Sequence, residues 1–71
     1  MKESFRHRLK FLRTETNLTQ ELLAEHLSIP RANIANWELG RTEPDINGLI
    51  MLADFFNVSV DYLICHSNTR R

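Results

Sequence analysis

The chain has 71 residues, room for one small domain whose core buries only a little over half of the unfolded surface. Its 42% hydrophobic content is too high for a disordered tail, no apolar run is long enough to span a bilayer, and the charged, amphipathic start carries no signal-peptide pattern. Nine basic residues balance nine acidic ones, and the single cysteine, Cys65, excludes an internal disulfide and fits a reducing cytosol.

The elements follow in chain order. Phe5, Leu9 and Leu12 recur at four and three residues, which predicts a first helix from about Ser4 to Glu15, stopped by Asn17. Lys2, Arg6, Arg8, Lys10 and Arg13 crowd this helix. Thr19 reads as the N-cap of a short second helix with Leu23, Ala24 and Leu27 as its buried stripe; Leu22 lies off the stripe and is expected half-exposed. Ser28-Ile29-Pro30 is a turn, because Pro30 fixes its own φ and pushes Ile29 toward an extended conformation. Pro30 also suits the start of a third helix, which runs to about Leu39 and is ended by Gly40. After a loop from Arg41 to Pro44, Asp45 caps a fourth helix with Ile46, Leu49, Ile50, Leu52, Ala53 and Phe56 as its apolar face, ending near Asn57. Ser59 caps a short fifth helix carrying Val60, Tyr62, Leu63 and Ile64. The expected organisation is one all-α domain over 1–66 and a polar, frayed tail over 67–71.

The unit from Gln20 to Leu39 carries the chemistry. Ile34 and Trp37 face inward at a spacing of three, leaving Arg31, Ala32, Asn33, Ala35 and Asn36 outward on a face almost without acids. Arg can bond guanine O6 and N7 together, Asn can bond adenine N6 and N7, and an alanine methyl can meet a thymine methyl. Gln20, at the start of the second helix, sits where a helix N-terminus can hold a phosphate. Zero net charge is unusual for a DNA binder, but the local face governs attraction to a phosphate backbone, not the sum.

An enzyme is excluded on inventory: the chain has no glycine-rich phosphate loop, no nucleophile beside a plausible base and no paired carboxylates in a cleft. His7, His26, Cys65 and His66 have no spacing that makes a metal site, and no cofactor is expected.

Leu18-Thr19-Gln20, Leu23-Ala24, Leu27, Ile34, Trp37-Glu38, Gly40, Pro44-Asp45, Leu52-Ala53 and Val58-Ser59-Val60-Asp61 together resemble the XRE family, with the Cro/CI-type, lambda-repressor-like helix-turn-helix, over roughly residues 5 to 64. The resemblance implies a compact five-helix bundle with helices 2 and 3 as the DNA-binding unit. It implies base contacts from Arg31, Ala32, Asn33 and Asn36, phosphate contacts from Thr19, Gln20, Arg13 and Arg41, and an ion pair between Arg13 and Glu38. It also implies a homodimer formed near Ile46, Val60, Tyr62 and Ile64. The chain departs from the family pattern at Ser28, where glycine is preferred, at Pro30, where Ser or Thr caps the recognition helix, and at Leu39, where Asn is usual. The expectation is a cytoplasmic regulator, a repressor that binds a palindromic operator in double-stranded DNA. The rival is a protein-interaction module or antitoxin-type partner with secondary DNA binding, toward which the neutral charge and Leu22 lean.

Overall fold

A computed structural model of the chain describes the backbone of residues 2–70 and the side chains of residues 5–70. The side chain of Lys2, and Arg71, lie outside the described residues. Among the described residues there are five helices and no strand: α1 (Lys2–Glu15), α2 (Gln20–Leu27), α3 (Arg31–Leu39), α4 (Ile46–Phe56) and α5 (Val60–Leu63).

Three of the helices begin on a side chain that the sequence supplies. Thr19 Oγ1 accepts from Leu22 N–H at 3.1 Å, Asp45 Oδ1 from Gly48 N–H at 2.8 Å, and Ser59 Oγ from Tyr62 N–H at 3.0 Å. Helix α3 begins at Pro30 with no side-chain cap. All five helices end the same way. A residue with positive φ reverses the chain, and the following N–H reaches back five residues: Leu18 to Arg13 O, Ile29 to Ala24 O, Arg41 to Asn36 O, Val58 to Ala53 O and His66 to Asp61 O. The reversing residues are Asn17, Ser28, Gly40, Asn57 and Cys65. Asparagine and glycine tolerate that conformation. Ser28, at φ 58°, carries a Cβ cost on the order of 1–2 kcal/mol.

The core is Phe5, Leu9 and Leu12 of α1, Leu23 and Ala24 of α2, Ile34 and Trp37 of α3, Leu52 and Ala53 of α4, Val58, and Tyr62 and Leu63 of α5. Leu27 and Ile29 are partly buried against it and hold the turn between α2 and α3. The fourth helix differs from the sequence reading. Leu49, Leu52, Ala53 and Phe56 form the inward stripe, while Ile46 and Ile50 point outward, Ile46 at 74% exposure. Because α4 is apolar nearly all round, its composition does not say which stripe turns inward. Gly48 sits in the first turn of α4 because a Cβ there would come within 2.9 Å of Pro44 Cβ and crowd the Asp45 cap.

The tail also differs from its expectation. Residues 67–70 fold back as a strap: Arg70 C=O accepts from Ser59 N–H at 2.6 Å, and the Arg70 guanidinium grips Glu15 at the end of α1.

Candidate nucleic-acid interface

Helices α2 and α3 meet through the left-handed turn at Ser28, with Leu23, Ile34 and Trp37 buried between them and the rest of the bundle. That packing fixes which way α3 faces. Its inward positions are Ile34, Trp37 and Glu38; Arg31, Ala32 and Asn33 are exposed, and Ala35 and Asn36 are half-buried beside them. Thr19 and Arg41 are exposed, and Gln20 is half-buried. Gly40, at φ 77°, allows the tight reversal that follows α3, and a Cβ there would meet the Arg6 side chain at 2.9 Å.

The polar side chains form one connected network. Arg13 donates from Nε to Glu38 Oε2 at 2.6 Å and from Nη2 to Glu38 Oε1 at 3.0 Å, a two-pronged pair. Its Nη1 donates to Leu18 C=O at 2.8 Å, so α1 is tied both to α3 and to the segment entering α2. Glu38 Oε1 also accepts from Gln20 Nε2 at 3.1 Å. The oxygen of Gln20 then accepts from Arg31 Nη1 at 3.1 Å. Two effects follow. Glu38, the one acid within α3, is turned inward and neutralised by Arg13, so it does not repel an anion at the outer face. Gln20 and Arg31 are held side by side at the edge of that face, with only one of the five Arg31 donors spent on Gln20. Among the described residues no buried side-chain nitrogen or oxygen lacks a hydrogen-bond partner.

Gln20 and Arg31 are joined by their hydrogen bond, Thr19 immediately precedes Gln20, Arg41 N–H donates to Asn36 C=O at 2.9 Å, and Ala32, Asn33 and Asn36 lie with Arg31 on α3. Arg13 stands apart: it is buried, and all three guanidinium nitrogens are engaged inside the protein. The residues assigned to the dimer contact are not equivalent either. Ile46 is exposed, Val60 and Ile64 are half-buried, and Tyr62 is buried, with the Arg8 guanidinium 4.0 Å and that of Arg70 5.7 Å from its ring centre. The contact of Gln20 with Glu38, eighteen residues apart, had no signal in the sequence pattern. Nor did the exposure of Phe11, Leu39 and Phe55.

Comparison with known proteins agrees with this architecture. A family model described as a helix-turn-helix domain matches residues 7–66. The chain is 43% identical over 60 residues to the HTH-type transcriptional activator BcrR of Enterococcus faecalis, an overlap covering 84% of this chain and 29% of that protein. It is 40% identical over 57 residues to the HTH-type transcriptional regulator ImmR of Bacillus subtilis, covering 80% of this chain and 45% of that one. An uncharacterised HTH-type transcriptional regulator of Methanocaldococcus jannaschii matches at 32% over 63 residues, 89% of this chain and 96% of its own length. The chain thus spans under a third of BcrR and about half of ImmR. On the matched domain, the five-helix architecture and these relatives together, the chain belongs to the XRE-type helix-turn-helix family of DNA-binding transcription regulators.

Proposed function

We propose that this chain binds a specific, near-palindromic operator as a homodimer, laying α3 in the major groove, and represses transcription by occupying a site that polymerase needs. The observation that carries the reading is the uncovered outer face of α3. Arg31, Ala32 and Asn33 project from a helix whose opposite side is fixed in the core. In this reading Arg31 reads a guanine, Asn33 and Asn36 read adenines, and Ala32 meets a thymine methyl. Thr19, Gln20 and Arg41 hold phosphates on either side, and Arg13 acts through Glu38 rather than on the DNA. Residues 1–66 form the DNA-binding unit and residues 67–71 an appended segment. Ile46, Val60, Tyr62 and Ile64 lie toward the second copy, which sets two recognition helices about 34 Å apart in successive major grooves. Among the described residues no helix is long and apolar enough to cross a membrane, and the proposed place of work is the cytoplasm. The activating role in the name of BcrR belongs to that protein; the sign of regulation here depends on where the operator lies relative to the promoter.

Half-exposed Leu22, with His26 packed 5.5 Å from the ring of Phe55, favours a second reading in which this chain is an interaction or antitoxin-type module. A gel-shift titration against salt on DNA enriched from a random pool separates the two. Sequence-specific binding through several phosphate contacts gives an affinity that falls steeply as salt rises. Absence of a complex even at low salt would contradict the DNA reading.

A further inference from the structure

The strap at the C-terminus is polar, yet it is seated on the molecule at several points. Cys65 turns the chain in a left-handed conformation after α5, and the N–H groups of His66 and Ser67 donate back to Asp61 C=O at 2.8 and 3.2 Å. The chain then runs back over the start of α5, where Arg70 C=O accepts from Ser59 N–H. The Arg70 guanidinium donates from Nη1 and Nη2 to the two carboxylate oxygens of Glu15 at 3.0 and 2.9 Å, and it lies 5.7 Å from the ring centre of Tyr62 and 6.0 Å from that of Phe11. An open cleft of about 500 Å³, bordered by His7, Arg8, Phe11, Cys65 and Asn68, lies beside the strap.

We propose that this strap is a reversible latch on self-association: while Arg70 grips Glu15 it covers Tyr62, and the α5 surface becomes available to a second copy of the chain only when the grip is released. The inference rests on the homodimer reading given above, which places Val60, Tyr62 and Ile64 at the contact between copies. Three observations support it. Tyr62 is only 7% exposed, and Arg70 is one of the groups over it. The grip is exposed on both sides, with the Arg70 and Glu15 side chains 50% and 41% accessible, so water and salt compete with it. Arg8 donates to Tyr62 C=O at 2.8 Å and lies over its ring, so Tyr62 is held in place independently of the strap.

The test measures dimer affinity by sedimentation equilibrium for the full chain and for Arg70→Ala and Glu15→Gln, with amide hydrogen exchange at Ser59 as the report on the strap. Each variant should lose Ser59 protection while far-UV circular dichroism is unchanged. Each should also dimerise more tightly, by roughly 2- to 30-fold, since one exposed pair is released in each of two copies. High salt should bring the wild type toward the variants. Unchanged or weaker dimerisation in variants that have lost Ser59 protection overturns the latch, as does retained protection in both. If the wild type and both variants remain monomers at every concentration and bind DNA as single copies, the homodimer reading fails and the latch fails with it.

Discussion

Two doubly hydrogen-bonded arginine–glutamate pairs differ in burial: Arg13 engages Glu38 side-on through Nε and Nη2, and Arg70 engages Glu15 end-on through Nη1 and Nη2. Arg13 and Glu38 join α1 to α3 with side chains 11% and 5% exposed, and Glu38 takes a further hydrogen bond from Gln20. Arg70 and Glu15 join the strap to α1 at the surface, where half of one side chain and two fifths of the other are open to water. The contacts are nearly the same length, and their consequences differ. An inner pair is desolvated, so removing one partner strands a charge; an outer pair is already solvated, and its loss costs little. Burial, not bond geometry, decides which pair fixes the architecture and which one can act as a switch.

The two pairs should differ most at Glu38. Glu38→Ala leaves Arg13 buried without its partner and should cost about 3–5 kcal/mol of folding stability, read by urea denaturation. Replacing both residues by apolar ones of similar volume, Arg13→Met with Glu38→Leu, should restore much of that stability, because a buried pair contributes little net over a packed apolar one. Gln20 and Arg31 would then lose their support, so DNA affinity should stay low while folding recovers. Recovery of both together would show that the network is structural only.

A second effect lies at the DNA face. Arg31→Ala should cost about 1–3 kcal/mol of operator affinity by fluorescence anisotropy and relax preference at one base pair of each half-site, with the melting temperature unchanged, because Arg31 is exposed. A third concerns the turn that aims α3. Ser28→Gly relieves a left-handed serine and should raise stability by about 1 kcal/mol, a melting shift on the order of 4–8 °C for a domain this size. No gain would mean that the added freedom of the unfolded chain cancels the relief.

The smallest effect is expected at the strap. The hydrogen bond from Arg70 holds the Glu15 carboxyl below the usual glutamate range, and the nearby positive charge acts in the same sense. A carboxyl whose folded value lies below its unfolded one contributes fully above the ordinary glutamate range and loses that contribution as pH falls through the lowered value. The Ser59 amide resonance should therefore stay constant near neutral pH and move in acid, whereas that of Leu22, capped by Thr19, should not follow it.

The order of helices was readable because their ends are local. Thr19, Asp45 and Ser59 each cap within three residues, and Asn17, Gly40 and Asn57 each reverse the chain at the residue that the composition marks. The inward aim of Ile34 and Trp37 followed from their spacing alone. Other features were illegible because nothing local encodes them. The sequence puts Ile46 and Ile50 on the apolar face of α4, but a helix that is apolar on most sides does not announce which stripe will find the core. Arg70 meets Glu15 across 55 residues, and polar tails usually fray, so the strap had no signal. Gln20 stands out in the sequence for its place at a helix start; its position between Glu38 and Arg31 depends on how α2 and α3 cross, which only the packed turn determines.

The proposed regulator stands or falls on whether the outer face of α3 reads bases. Selection of bound duplexes from a random pool, run in parallel for the wild type and Arg31→Ala, tests it most directly. Two related half-sites in inverted orientation should be enriched, centred about 34 Å apart along one side of the duplex, with the variant losing its preference at one position in each. Failure of the wild type to enrich any sequence, or an enriched site that the variant reads identically at every position, would contradict it.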